Sequence, residues 1–368
     1  MGLNKNQQVF LEVVKAGLWD RNNLDYNLLE TQREQATKGR ADLNGVNWEK
    51  IYNLASEQSV VGLLAAGIDN LNLEVPLELK LQIIGEALQI EQQNKAMNGF
   101  IAKLIAQMRE ADIYTLLVKG QGIAQCYEKP LWRASGDVDL LLSDSNYQKA
   151  KEFLLPMASD HKPDERYSKH LGMNIGEWYV EIHGTLRTGL SGRIDRELDD
   201  NQNDVFQGGK VRVWKNGGTD VMLPAPDNDV LFVFTHFIKH FFKEGMNLRQ
   251  VCDWCRLLWT YRDSLNHGLL ESRIKKAGLM SEWRGFASLA VEYLGMPVEA
   301  MPLFNENDNQ NHKKAERLVD FILRGYSGNV VRDTWSIAKI FPWNTIQFAP
   351  AIFLNVNGLK IKERVFQR

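Results

Sequence analysis

Two aspartates and a later glutamate are the residues in this sequence whose types and spacing best suit metal-assisted chemistry. Asp137 and Asp139 stand in RASGDVDLLLS, residues 133–143, and two positions on a predicted strand place both side chains on the same face. Like charges this close repel each other unless a cation lies between them, and Mg²⁺ prefers carboxylate and phosphate oxygens. Phosphoryl displacement usually needs a third carboxylate, and Glu181 in WYVEIHG is the best candidate. The competing interpretation of the pair is a solvated strand end or a turn cap.

A lysine and two glycines precede the aspartates in the segment LLVKGQG, residues 116–122. Glycines allow backbone amides to approach a phosphate, and Lys119 adds a positive charge at the end of a predicted strand. The segment matches neither a GxxxxGK[ST] loop nor GxGxxG. Its significance therefore depends on its position, one short helix and one loop before the aspartates.

Composition excludes several classes of protein. The formal net charge of the 368 residues is −2, which argues against polynucleotide binding because tracking a nucleic-acid backbone needs a basic groove. Three cysteines are too few for a disulfide framework and predict a reducing compartment, the cytoplasm. No apolar run reaches the length of a membrane span and no signal peptide is evident, so we expect no membrane partner.

The hydrophobic periodicity changes twice along the chain and predicts three regions. Residues 1–110 have helical spacing, 111–224 read as a small α+β unit, and 225–368 return to helical spacing until an irregular tail from about 328. In the middle region the predicted elements are strands over IYTLLVKG, DVDLLLS and KVRVW, a helix over NYQKAKEFLLPM, and a hairpin around Gly176-Glu177. We expect the polar segment over 187–204 to be a surface loop or a lid.

These motifs together resemble the nucleotidyltransferase superfamily. LLVKGQGIAQCYEKPLWRASGDVDLLLS followed by VEIHGTL is most similar to a largely uncharacterised bacterial nucleotidyltransferase-like group, which has a Lys-Gly turn, an Arg-x-Ser-Gly-Asp-x-Asp strand and a Glu-x-His strand. NWEKIYNLASEQSVVGLL and HFIKH also look like that group, so that the resemblance covers most of residues 15–260. It implies an α+β fold, a nucleotidyltransferase-like mixed sheet core flanked by N-terminal and C-terminal helical modules.

The resemblance also implies roles for individual residues. Asp137, Asp139 and Glu181 would hold Mg²⁺, with two ions expected, and Glu181 would help to deprotonate the acceptor. The predicted nucleotide-binding residues are Lys119, Gly120, Gln121, Arg133, Ser135, Gly136 and, from the C-terminal module, Lys239.

The implied reaction is transfer of a nucleoside monophosphate from an NTP to an unidentified acceptor, with release of pyrophosphate. The group has a small residue after the first glycine of the turn, whereas this chain has Gln121. This departure favours an alternative of another class, a catalytically silent nucleotide-binding or partner-binding module on the same fold, of a regulatory or antitoxin-like kind.

Three further features leave alternatives open. His236, His240, Cys252 and Cys255 are zinc-type ligands, but both spacings also arise on ordinary helices, and the apolar neighbours of the cysteines favour a helix core. His183 could orient a carboxylate or be a structural histidine. Trp132, next to Arg133, could stack on a base, although most of the ten tryptophans are expected in the core.

Overall fold

The computed structural model describes residues 2–19, 45–162 and 169–353, and the fold is given for these ranges. The parts of the sequence-based predictions that fall on residues 20–44, 163–168 and 354–368 lie outside the described residues.

Four helices form the described part of the N-terminal region. They are α1 (Lys5–Leu18), α2 (Trp48–Glu57), α3 (Val61–Leu71) and α4 (Leu77–Glu110). Asn47 is the N-cap of α2, and its side chain accepts a hydrogen bond from the backbone N–H of Lys50. Within the region of predicted helical spacing, the chain turns between α2 and α3 at Ser59, which has a φ of 57°.

Five strands form a mixed sheet in the middle region, which confirms the predicted α+β class. The strands are β1 (Thr115–Val118), β2 (Asp137–Leu142), β3 (Asp160–His161), β4 (His170–Ile175) and β5 (Trp178–His183). Their order is β1-β2-β5-β4-β3, with β2 and β5 parallel and the other neighbours antiparallel. The predicted hairpin around Gly176-Glu177 is the β4–β5 pair. A short helix, α5 (Gly120–Ala124), follows β1, and α6 (Asp144–Leu154) follows β2.

The two faces of the sheet differ in chemistry. Val138, Leu140, Val180 and Ile182 are buried on one face, in a cluster that includes residues of α4 such as Ile101. The side chains that alternate with them along β2 and β5 lie on the other face. That face carries the carboxylates of the two strands.

The segment over 187–204, predicted as a loop or a lid, is largely helical instead. Helix α7 (Gly192–Phe206) begins after Ser191, whose side chain accepts a hydrogen bond from the N–H of Ile194. Ile194, Leu198 and Val205 are buried in the main core, so that a mostly polar segment packs through a narrow apolar stripe. The two-stranded sheet of β6 (Val211–Asn216) and β7 (Thr219–Pro224) follows.

Helices make up the C-terminal region, and the prediction of an irregular tail from about 328 is wrong over the described residues. The helices are α8 (Pro226–Lys243), α9 (Leu248–Tyr261), α10 (His267–Ala277), α11 (Met280–Leu294), α12 (Asn309–Arg324), α13 (Val330–Ala338) and α14 (342–353). In the last two, Ile337, Phe348 and Ile352 are buried, because each helix packs one face on the core. Within the described ranges, no helix combines the length and apolar character needed to cross a lipid bilayer.

Candidate functional site

The parallel pairing of β2 with β5 brings the three predicted carboxylates together. Asp139 is the register partner of Glu181, and Asp137 is the partner of Tyr179 one step along the same face. One oxygen from each of Asp137, Asp139 and Glu181 lies within 4.8 Å of the other two. Residues 44 positions apart in sequence thus form one acidic group, as the sequence predicted.

Asp139 is the most deeply buried member of the group, with 2% of its side chain exposed. Its Oδ1 lies 2.7 Å from Lys119 Nζ and 2.7 Å from His183 Nε2. Burial acts to raise the pKa of Asp139, but the charge of Lys119 and the hydrogen bond with His183 outweigh it and hold that pKa well below its usual range. Asp139 is therefore ionised in the folded protein.

The other two carboxyl groups respond to different neighbours. The negative charge of Asp139, and then burial, raise the pKa of Asp137. Burial would also raise the pKa of Glu181, but the hydrogen bond with His170 and the charge effects of His170 and His183 leave it lowered. Carboxylates with a mutual repulsion of this kind fit a divalent cation, because a cation between the oxygens removes the repulsion.

Lys119 connects the end of β1 to the acidic group. Its backbone has φ 58° and ψ −147°, a region that almost only glycine adopts. Gly120 follows with φ 39°, and a Cβ at this position would lie 3.5 Å from the Asp137 carbonyl oxygen and 3.9 Å from Ser135 Oγ. The turn therefore lies directly against the start of β2, next to Ser135 and the exposed Gly136.

Gln121 directs its side chain away from the acidic group. It is 1% exposed, and its Nε2 donates to Asn94 Oδ1 of α4 at 2.6 Å. Asn94 in turn donates to the carbonyl oxygens of Leu131 and Arg133. Gln121 thus belongs to a buried network that ties the Lys119-Gly120 turn and the loop before β2 to α4.

Arg133 is buried and forms a two-point ion pair with Asp253 of α9. Its Nε and Nη2 lie 2.8 and 2.7 Å from the two carboxylate oxygens, and Nη1 donates to Ser135 Oγ at 2.6 Å. Tyr127 donates a further hydrogen bond to Asp253. The structure therefore places the Arg133 guanidinium behind the loop, where it holds Ser135 beside the Gly120 turn.

Helix α8 passes close to the acidic group and carries Lys239 one turn beyond His236. Burial, and then the charge of Lys119, hold the pKa of His236 well below its usual range, with smaller effects from His240, Lys239 and His183. His236 Nε2 lies 3.1 Å from His240 Nε2. Lys239 is half-buried on the same stretch of helix.

The cysteines of the possible zinc set lie elsewhere in the fold. Cys252 and Cys255 are fully buried in the main core, and burial raises the pKa of each thiol. Among the described residues, neither joins a group of three or more potential metal ligands. Trp132 has contacts of its own within the protein. Lys129 Nζ lies 4.0 Å from the centre of its ring, and its Nε1 donates a hydrogen bond to Glu91 of α4.

Two residues near the acidic group were missed at the sequence level. His170 Nε2 lies 3.0 Å from Glu181 Oε2. The predicted hairpin offered a signal, because a turn at Gly176-Glu177 pairs His170 with His183, as observed. Arg249 of α9 donates a hydrogen bond to the Ala134 carbonyl oxygen, and the negative charge of Asp137 favours the charged form of its guanidinium group. Nothing in the local pattern of α9 marks Arg249, since its approach depends on tertiary packing.

A comparison with protein-family models agrees with the superfamily resemblance. The family model described as uncharacterised nucleotidyltransferase matches residues 44–295. A solved structure, the "Crystal structure of an antigenic nucleotidyltransferase-like protein from Paracoccidioides brasiliensis", aligns at 10% identity and a TM-score of 0.33 over 55% of this chain and 93% of that one. A search of curated proteins found no match. Because the family model spans more than half of the chain, the chain belongs to the uncharacterised nucleotidyltransferase family.

Proposed function

We propose that this protein is a Mg²⁺-dependent nucleotidyltransferase that moves a nucleoside monophosphate from an NTP to an acceptor and releases pyrophosphate. The observation that carries the proposal is the convergence of Asp137, Asp139 and Glu181 on adjacent parallel strands. Family membership supports the same reaction class. The acceptor is a small molecule, a sugar or a protein, since the net charge of −2 disfavours a polynucleotide.

The proposed residue roles follow from the chemistry of the transfer. An acceptor oxygen attacks the α-phosphorus, the bond from that phosphorus to the bridging oxygen breaks, and pyrophosphate leaves. Glu181 takes up the proton of an acceptor hydroxyl at a carboxylate oxygen. Asp137, Asp139 and Glu181 would hold two Mg²⁺ ions, which neutralise phosphate charge and lower the pKa of the attacking hydroxyl.

The phosphate side of the site would be formed by the turn after β1. Lys119 supplies a positive charge, and Gly120, Gln121, Ser135 and Gly136 supply backbone or hydroxyl donors close to the start of β2. Arg133 acts in this proposal by holding the loop through Asp253, 2.7 Å from its guanidinium. Lys239 of α8 would meet the outer phosphates.

Isothermal titration of ATP and CTP in the presence of Mg²⁺ tests the assigned site. The wild-type protein should bind at least one of the two nucleotides, and a variant carrying both Asp137→Ala and Asp139→Ala should bind it at least about a hundredfold more weakly, because two charged metal ligands are lost. Binding by the double variant at the wild-type affinity would exclude the acidic group as the nucleotide–metal site. Asp160→Ala, at an exposed aspartate of β3, is the matched control and should bind normally.

A catalytically silent nucleotide-binding module remains the second candidate. The ion pair between Lys119 and Asp139 supports it, because the carboxylate already has a protein cation as its partner. The Gln121 side chain no longer supports it, since it points into the interior. Incubation with each α-³²P-labelled NTP and a cell extract separates the two: an enzyme transfers label to an acceptor in the wild type but not in the double variant, whereas a silent module transfers none.

A further inference from the structure

Next to the acidic group lies a second set of potential metal ligands that includes two imidazoles. His170 of β4 and His183 of β5 are register partners across the hairpin, and their rings stack with centroids 4.7 Å apart. Glu181 Oε2 lies 3.0 Å from His170 Nε2 and 3.7 Å from His183 Nε2. Both imidazoles therefore have Nε2 near one carboxylate oxygen. His183 Nε2 also lies 2.7 Å from Asp139 Oδ1, so that coordination at this nitrogen replaces that hydrogen bond.

The spacing of these atoms suits coordination of one ion. At metal–ligand bonds of about 2.1 Å, two ligand atoms on the same ion lie at most about 4.2 Å apart. Both distances from the histidines to Glu181 already fall below that limit. Ligand atoms of His170, Glu181 and His183 all lie within 4.8 Å of one another, so that a shift of a few tenths of an ångström completes the set.

We propose that His170, Glu181 and His183 form a separate metal site for a divalent first-row transition ion such as Mn²⁺, and that this site shares the Glu181 carboxylate with the acidic group. Each ion would take one side of Glu181, which then bridges the two positions. The site goes beyond the proposed function, because its geometry is defined by the β4–β5 hairpin and does not depend on a nucleotide.

The ligand chemistry selects the class of ion. Imidazole nitrogen is a poor ligand for Mg²⁺, which prefers carboxylates, water and phosphates, but it suits Mn²⁺, Fe²⁺, Co²⁺ and Zn²⁺. The group of Asp137, Asp139 and Glu181 offers only carboxylate oxygens, which bind Mg²⁺ and leave nitrogen coordination as the mark of the histidine site. Two neighbouring positions with different ligand sets can therefore be filled by different ions, even when Mg²⁺ is in large excess.

A purely positioning role for the histidines predicts a different outcome. In that case His170 only donates a hydrogen bond from Nε2 to Glu181 and so orients the carboxylate for the acidic group. A glutamine at position 170 can donate the same hydrogen bond through its amide nitrogen, but it has no nitrogen lone pair for a metal. The substitution His170→Gln therefore preserves the hydrogen bond to Glu181 and removes the nitrogen ligand at this position, leaving only an amide oxygen.

The experiment measures Mn²⁺ retained by the full chain in equilibrium dialysis against excess Mg²⁺, together with electron spin-echo modulation from nitrogen bound to Mn²⁺. We expect about one retained ion per chain, with nitrogen modulation, in the wild type. H170Q should weaken retention at least about tenfold and reduce the nitrogen modulation. H161Q, at an exposed histidine of β3, is the matched control and should behave as the wild type.

Several results would overturn the second site. The first is that no Mn²⁺ is retained in the presence of excess Mg²⁺, and the second is that Mn²⁺ is retained without nitrogen modulation. The third is that H170Q equals the wild type in both Mn²⁺ retention and nitrogen modulation, and the fourth is that H161Q loses as much of both as H170Q. Nucleotide binding is measured separately by titration calorimetry. A protein that retains nitrogen-coupled Mn²⁺ but binds no nucleotide would contradict the proposed function and leave the second site standing.

Discussion

At the scale of single residues, Lys119 is held in a costly backbone conformation at the point where its charge is needed. A φ of 58° with a ψ of −147° costs a residue with a Cβ about 1–3 kcal/mol. The ion pair with the buried Asp139 offsets this cost, because an unpartnered buried carboxylate is itself expensive. The conformation also places the Lys119 ammonium group on the face of the sheet that carries the carboxylates, 2.7 Å from Asp139 Oδ1.

The variants K119G and K119A separate the strain from the charge. Both remove the ion pair, but only glycine adopts this backbone region freely, so K119G should be more stable than K119A by about 1–3 kcal/mol in urea unfolding. Both should lose nucleotide affinity to a similar extent, because both lack the ammonium group. Equal stabilities, or a more stable K119A, would show that the backbone at position 119 is not strained.

The residues of the acidic group were predictable because their signal is local. Two aspartates separated by one residue on a strand must share a face, and the Lys-Gly turn and the Glu-x-His strand are each contiguous in sequence. The side chains that hold Arg133 and Gln121 are distant in sequence. Asp253 lies 120 positions after Arg133, and Asn94 lies 27 positions before Gln121. Such contacts depend on how α4 and α9 pack, which no local pattern specifies.

At the scale of elements, α1 and α3 cross so closely that each needs a glycine. A Cβ at Gly17 would lie 2.0 Å from the Leu63 carbonyl oxygen, and one at Gly67 would lie 1.9 Å from the Val13 carbonyl oxygen. Both obstacles are backbone atoms of the opposite helix, which cannot move aside as a side chain can. The two glycines therefore set the distance between α1 and α3. The family match over residues 44–295 includes α3 but not α1.

Substituting Gly67 by alanine should force α1 and α3 apart and destabilise the protein by about 3 kcal/mol, since overpacking against backbone has no cheap relief. Gly99→Ala is the matched control, because Gly99 is an exposed position inside α4 with no atom within 4 Å of a new Cβ. The control should gain up to about 1 kcal/mol from the higher helix propensity of alanine. Urea unfolding followed by circular dichroism measures both, and an unchanged stability of G67A would contradict the close crossing.

The elements that sequence analysis missed share a physical reason. Helix α7 buries Ile194, Leu198 and Val205 within a segment that is otherwise polar, and the polarity hid the spacing. Helix α13 buries Asp333 beside Ile337 and exposes Trp335, and α14 exposes Trp343, so residue polarity does not mark the buried faces of these two helices. The β4–β5 hairpin was predicted because turn residues and alternation agree there.

At the scale of the whole molecule, helices from both ends of the chain share one core. Phe10 and Val14 of α1 belong to the same buried cluster as Phe234 of α8 and Phe286 of α11. The indole of Trp19 donates a hydrogen bond to the carbonyl oxygen of Leu294 across this core. Contacts of such large sequence separation cannot be derived from helical periodicity. The two helical regions and the α+β region could therefore be predicted from the sequence, but the core that their helices share could not.

Glu282 of α11 makes the stability of this core depend on pH. Its side chain is 1% exposed beneath α12 and α14, and burial raises its pKa to about 7 although Lys314 and Asn344 favour the charged form. Between about pH 4.5 and 7 the unfolded chain releases this proton while the folded protein keeps it. This group therefore lowers the free energy of unfolding as pH rises, by up to about 3 kcal/mol at pH 8.

Glu282→Gln removes this titration while retaining a neutral side chain of the same size. The stability of E282Q relative to the wild type should therefore rise by up to about 3 kcal/mol between pH 4.5 and pH 8, and change little above that. Urea unfolding of both proteins at a series of pH values measures the difference. Parallel pH profiles would show that Glu282 titrates equally in the folded and unfolded chains, and hence that the interface of α11 with α12 and α14 admits water.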